Sequence, residues 1–186
     1  MRSRGVVAML AVGVAALGIA AFALAGGSGA GFNHVTATMS GYQEVPAISS
    51  TGTADFTADV SKDGNSISWQ LTYSGLEGAV QQSHIHFGQR SVNGGISVFL
   101  CTNLGNGPAG TQACPQSGTI SGTITAADVS PAIPATAGAR GQGIDTGEFD
   151  ELVRAIAAGK AYANLHTAKW PGGEIRAQLN EDDPHN

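Results

Sequence analysis

Three of the five histidines in this chain lie in two short runs whose spacing suits a metal site. His84 and His86 are two residues apart, so in a β-strand both imidazoles point to one face and Ile85 points to the other. His166 lies in a second strand-like run, residues 164–167. If the strands are neighbours, three imidazoles converge, and neutral imidazole is a ligand for copper and zinc. The spacing leaves an alternative open, in which the histidines hydrogen-bond to nearby loops and bind no metal.

Two amide side chains share the strand faces of these histidines. Gln82 has the same strand parity as His84, and Asn164 has that of His166. A hydrogen bond from an amide can orient a metal-bound imidazole. We therefore expect Gln82 and Asn164 to orient the ligands of a copper or zinc site, with nitrogen–metal distances of about 2.0–2.1 Å and an open position for water.

A charged pair follows the third histidine. Glu174 and Arg176 have the same parity on the closing strand, so we expect a structural ion pair between them or across the sheet. A partly buried Arg176 is expected to hold the loop after His86. No Ser-His-Asp spacing, phosphate-binding loop or paired carboxylates occur, so no catalytic residue is predicted.

The composition favours an all-β domain with tight turns. Charged residues make up only 12 % of the 186 residues, and glycine occurs 27 times. The formal net charge is −5, and no basic run occurs beyond the N-terminus, so nucleic acid is not an expected partner.

The N-terminus has the pattern of an export signal. Arg2 and Arg4 precede an uncharged run, residues 6–25, that ends in an Ala-x-Ala sequence. Residues 1–25 are thus a cleaved signal peptide or an N-terminal membrane anchor, and residues 26–33 a linker. Both interpretations place the folded part outside the cytoplasm: extracellular, periplasmic or at the cell surface. Membrane contact is expected only through residues 6–25, if the segment is uncleaved.

Two cysteines agree with export. Cys101 and Cys114 flank a loop rich in glycine and proline, residues 102–113. A disulfide that closes this loop in an oxidising compartment is the natural interpretation, because the spacing is not that of a zinc site.

Alternating apolar and polar residues predict an antiparallel β-sandwich of about seven to nine strands. Phe149, Leu152, Val153 and Ile156 have helical spacing and predict one short helix over residues 147–158, with Asp145 as its N-cap. The expected strands cover residues 34–40, 53–60, 66–73, 79–87, 96–100, 118–125, 161–167 and 173–179.

Several of these motifs together resemble the CHRD domain, a family named for the repeats of chordin that also occurs as single domains in secreted bacterial proteins. The similar stretches are residues 41–46, 84–88, 161–167 and 171–179, and the likeness covers residues 34–179. The resemblance implies an extracellular β-sandwich. Residues 180–186 then form a polar tail.

A second resemblance concerns the histidines. A His-x-His strand, a later strand histidine and an intramolecular disulfide are similar to the copper site and the Greek-key sandwich of Cu,Zn superoxide dismutase. His84 and His86 match the His-x-His pair, and His166 matches the late ligand. This chain departs from that family in having no bridging histidine, no zinc cluster and no assured active-site arginine.

Together these observations predict a secreted or surface-anchored CHRD-domain protein. We expect a non-catalytic binding or structural module with an unidentified extracellular ligand and a three-histidine site for copper or zinc. The alternative is a copper-binding oxidoreductase related to superoxide dismutase.

Overall fold

The computed structural model describes residues 32–131 and 137–180. The described chain contains eight strands, two helices and two 3₁₀ turns. The strands are β1 (His34–Ser40), β2 (Thr53–Val60), β3 (Ile67–Ser74), β4 (Val80–Phe87), β5 (Gly95–Thr102), β6 (Gly118–Ile124), β7 (Ala161–Thr167) and β8 (Ile175–Gln178). The helices are α1 (Ala137–Gly141) and α2 (Phe149–Ala157), and the 3₁₀ turns are Gly41–Gln43 and Ala126–Asp128.

The strands form one antiparallel sheet in the order β5-β4-β7-β8-β1-β2-β3-β6. Its two four-stranded halves are joined between β8 and β1 by a single residue pair, Ser40 with Arg176. The neighbours β1–β8, β3–β6 and β4–β7 are not consecutive in the chain, so the connections cross over as in Greek-key folds. The prediction of an all-β antiparallel sandwich is confirmed.

The two ends of the strand order approach each other through one side chain. Gln112 donates its amide N–H groups to the carbonyl oxygen of Leu100 on β5, at 3.2 Å, and to that of Ser121 on β6, at 3.1 Å. One amide therefore bridges the two outermost strands, and the sheet curls into a barrel-like sandwich around a single core.

Strand alternation separates the core from a second buried layer. Ala163 and Leu165 of β7 and Ile175 and Ala177 of β8 belong to the hydrophobic core. The alternate residues of the same strands point to the opposite face. They are nevertheless buried, because every residue of β7 and β8 is. Loops must therefore cover this outer face.

The predicted helix is present but begins slightly later. Helix α2 buries Phe149, Leu152 and Ile156, and Gly159 ends it in the left-handed conformation with φ +61°. The N-cap is Glu148 rather than the expected Asp145, whose backbone N–H instead donates to the Glu148 carboxylate at 2.7 Å. Helix α1 was not predicted, because its five residues are too few to show an apolar period.

The predicted disulfide is confirmed: Cys101 and Cys114 are bonded, with a Cα–Cα distance of 5.2 Å, and both are buried. The loop between them also has its own hydrogen bonds, which the sequence did not suggest. The Asn103 amide donates to the carbonyl oxygens of Val80 and Cys114, and Thr102 donates to Gln112 through its backbone N–H.

The predicted signal or anchor segment and most of the linker and polar tail lie outside the described residues. Within the described residues, no helix is long and apolar enough to cross a membrane.

We predict that reduction of the Cys101–Cys114 bond lowers the free energy of unfolding by about 3 kcal/mol, because a closed loop of this length restricts the unfolded chain by that amount. Urea unfolding with and without reductant measures the difference. The Cys101→Ser/Cys114→Ser double variant should not respond to reductant. A wild type equally stable in both conditions would contradict a stabilising role for the bond.

Candidate metal centre

The three predicted histidines meet on the outer face of neighbouring strands. Strand β4 pairs with β7 so that His84 lies opposite Asn164, and His86 lies opposite Tyr162. His166 lies one step further along the same face of β7. The pairing of β4 with β5 shifts register on both sides of the residue pair His84–Ile85, and such bulges re-aim strand side chains.

One nitrogen from each of the three rings lies within 4.8 Å of the other two. The closest pair, His84 Nδ1 and His166 Nε2, is 3.2 Å apart. Two nitrogen ligands of one tetrahedral metal ion are about 3.3–3.4 Å apart when each metal–nitrogen bond is about 2.0–2.1 Å. That pair already has the spacing that a shared ion requires.

Backbone carbonyls fix the orientation of two of the rings. His86 Nδ1 donates to the carbonyl oxygen of Gly94 at 2.9 Å, and His166 Nδ1 donates to that of Pro171 at 2.9 Å. A carbonyl can only accept, so each Nδ1 carries the proton and each Nε2 of the neutral ring keeps its lone pair. Metal-bound histidines are held in this way in proteins.

Two of the imidazole nitrogens are buried without a hydrogen-bond partner in the described chain, namely His84 Nε2 and His86 Nε2. The residues His84, His86 and His166 are 0 %, 7 % and 7 % exposed. An unpaired buried polar atom costs about 1–3 kcal/mol. The loop hydrogen bonds alone would therefore leave this cluster unsatisfied, whereas a cation would use the lone pair on His86.

The electrostatics keep all three rings neutral. Desolvation lowers the pKa of His84 to about 2, with smaller contributions from His166 and His86. Desolvation also lowers the pKa of His86 to about 4, against an opposing hydrogen bond to Gly94, and lowers the pKa of His166. Neutral imidazole is the form that binds metal. Proton competition should therefore begin well below the ordinary histidine pKa of about 6.5.

Of the two predicted orienting amides, the structure brings only Asn164 to the histidines. Asn164 Oδ1 lies 3.0 Å from His166 Nε2, so this side chain is in contact with the histidines. Gln82 instead accepts a hydrogen bond from Asn106 in the disulfide loop, at 2.9 Å. The register shift between Val80 and Gln82 accompanies this different direction.

A stack of three side chains supports His86. Its ring lies parallel to that of Tyr162 with centroids 4.7 Å apart, and the Arg176 guanidinium lies 3.4 Å from the centroid of the Tyr162 ring. The Tyr162 hydroxyl accepts from the backbone N–H of Gly94, whose carbonyl binds His86. On the other side, Phe99 contacts His84 edge-to-face at 4.4 Å.

Glu174 and Arg176 have separate partners rather than the expected pairing with each other. The Glu174 carboxylate accepts from Ser50 Oγ at 2.6 Å, Glu77 N at 2.8 Å and Thr167 Oγ1 at 2.7 Å. Arg176 donates to the carbonyl oxygen of Gln89 and to Asn93 Oδ1, both in the loop after β4. That loop is the one it was expected to hold.

Sequence reasoning missed Tyr162 and Phe99. Tyr162 could have been found, because it has the same strand parity as Asn164 and His166. Phe99 carried no such signal, since its place beside His84 depends on the pairing of β4 with β5.

The family model of the CHRD domain matches residues 35–179, a range that contains all three histidines and the disulfide. No curated protein and no solved structure matches the chain significantly.

We predict that the metal-free protein loses stability as the pH falls from 7 to 5. The unfolded histidines take up protons near pH 6.5, while the folded His84 and His86, with depressed pKa values, do not. Each of these two histidines should lower the free energy of unfolding by about 2 kcal/mol between pH 7 and pH 5. Glu44 acts in the opposite direction by a similar amount, because desolvation raises its pKa to about 7.

Urea unfolding at pH 7, 6 and 5 measures the net loss, which should be at least about 2 kcal/mol, because the lowered pKa of His166 adds to it. The His86→Gln variant should lose less over the same range, whereas His34→Ala, at an exposed histidine, should behave as the wild type. Equal pH slopes in all three proteins would contradict the buried neutral state.

Proposed function

This chain belongs to the CHRD domain family, and on that premise we propose that it is an exported, non-catalytic binding or structural module. Within it, His84, His86 and His166 hold a copper or zinc ion. The observation that carries the metal site is the convergence of three buried, neutral imidazoles, with one nitrogen of each within 4.8 Å of the others.

The donor set favours a transition metal over calcium or magnesium. Imidazole nitrogen binds copper and zinc, whereas calcium and magnesium take oxygen ligands. Three histidines leave a fourth position for water or for a group from a bound partner. Asn164 lies beside that cluster, where its Oδ1 could accept a hydrogen bond from a water in that fourth position.

The burial of the three histidines favours an ion that stabilises the fold over an ion that takes part in catalysis. His84 is fully buried, and His86 and His166 are each 7 % exposed, so the access of a substrate to the ion is restricted. A copper oxidoreductase related to superoxide dismutase is therefore the second candidate. It is tested by assaying the copper-loaded protein for superoxide dismutation.

Export is supported by the disulfide, because such bonds persist in oxidising compartments and are rare in the cytosol. The N-terminal pattern of residues 1–25 agrees with it. An extracellular, periplasmic or surface location follows from this proposal.

We predict that the purified metal-free protein binds one Zn²⁺ or Cu²⁺ ion per chain. Calorimetric titration should show His84→Ala and His166→Ala weakened by more than the roughly 10–100-fold that loss of an orienting group costs. Asn164→Ala should fall within that smaller range. His34→Ala is the matched control and should bind as the wild type, since His34 lies on β1 and pairs with Asp59.

Binding should weaken only at a pH below the ordinary histidine pKa of about 6.5, because burial lowers the pKa of His86 to about 4 and also lowers the pKa of His166. A wild type that binds no more tightly than His84→Ala and His166→Ala would show that the histidines only hydrogen-bond to loops. Superoxide dismutation by the copper-loaded wild type, lost in both variants, would favour the oxidoreductase.

A further inference from the structure

A small cavity of about 110 Å³ lies beside the metal centre, on the far side of Tyr162. It lies between two loops, residues 41–46 and 88–94, and β8 carries two of its lining residues. The residues that matter for its chemistry are Tyr42, Glu44, Arg90, Ser91, Arg176 and Gln178. None of the three histidines lines it.

One wall of the cavity carries a buried carboxylate with an unused acceptor. Glu44 is 6 % exposed, and its Oε1 has no hydrogen-bond partner in the described chain. The carboxylate packs against Gly173, whose φ of +131° and lack of a side chain make room for it, since a Cβ there would collide with Glu44.

The opposite charge is supplied from β8. Arg176 is 1 % exposed and is held by the face of Tyr162 and by hydrogen bonds to Gln89, Asn93 and Gln178. These bonds use three of the five N–H donors of a guanidinium. Arg176 and Glu44 line the same cavity, but within the described residues they form no ion pair at 4.0 Å or less.

The loops that form the cavity are locked in place. Asn93 donates to the carbonyl oxygen of Val45 at 2.9 Å and so ties one loop to the other. Ser91, which lines the cavity, has φ +61°, a conformation that costs a non-glycine residue energy and is concentrated at functional sites. Tyr42, at the rim, is 74 % exposed and leaves an aromatic face open to a ligand.

We propose that this cavity binds the carboxylate of a small monocarboxylic acid, which accepts hydrogen bonds from the Arg176 guanidinium and from protonated Glu44. The positive charge of Arg176 balances the negative charge of the ligand. The carboxyl groups of Glu44 and of the ligand can lie side by side because they share the proton of Glu44. Gln178 forms part of the cavity wall, with its amide N–H groups already donated to the carbonyl oxygens of Gly88 and Gly159. The site is separate from the metal centre and does not depend on an ion there.

The protonation of Glu44 agrees with this geometry. Desolvation raises the pKa of Glu44 to about 7, although the nearby Arg176 and a backbone hydrogen bond from Val45 lower it. The other titratable groups facing this region are Arg90, Tyr42 and Tyr162. Binding of an anion above pH 7 must therefore draw one proton from solution onto Glu44. Its affinity should fall about tenfold between pH 6 and pH 8.

The test uses acetate as the probe, with metal-free and zinc-loaded protein compared by NMR. At pH 6, acetate should shift the backbone amide signals of Val45, Ser91 and Gly173 saturably, and equally in both samples. The dissociation constant should be about tenfold higher at pH 8.

The Glu44→Gln variant keeps an N–H donor without a titrating proton, so it should bind acetate with the same affinity at both pH values. Glu151→Gln, an exposed carboxylate on α2, is the matched control and should keep the tenfold dependence. A cavity that holds water only would give no saturable shifts at pH 6. That result, or a pH dependence unchanged in Glu44→Gln, or shifts confined to the histidines, would overturn the proposal.

Discussion

The buried guanidinium of Arg176 is the interaction on which the outer face of the sheet depends. It stacks on Tyr162, which stacks in turn on His86. Its hydrogen bonds to the loop after β4 hold Gln89 and Asn93. That loop also supplies the carbonyl of Gly94, which orients His86. A buried cation must be satisfied on several sides, and satisfying this one assembles the cover over the histidines.

The buried carboxylate of Glu174 likewise holds distant segments together at the other end of this face. Its carboxylate accepts hydrogen bonds from Ser50, Glu77 and Thr167, three residues from separate parts of the chain. The neighbouring Gly173 leaves room for Glu44. The two motifs that begin and end the CHRD likeness, residues 41–46 and 171–179, therefore meet in space. Both motifs therefore contribute to the packing of this face.

The local parts of this fold could be predicted from sequence, and the long-range parts could not. Strand alternation predicted that His84 and His86 share a face, and apolar spacing predicted α2, because both signals lie within a few residues. Whether His166 reached them depended on the pairing of β4 with β7, about eighty residues apart in sequence. For the same reason, strand parity could not predict the direction of Gln82, which follows a register shift in β4. It could not predict the partners of Glu174 either, because distant loops supply them.

The Gln112 amide has a consequence for how copies of this protein behave toward one another. Strands β5 and β6 end the sheet, and an open strand edge is a template on which another chain can pair and aggregate. Gln112 occupies the carbonyls of Leu100 and Ser121 on those edges, and it lies two residues before Cys114. The disulfide thus holds near both edges the segment whose Gln112 side chain occupies these carbonyls. Loss of the bond would free this segment, and with it two carbonyls at which a strand of another copy could pair.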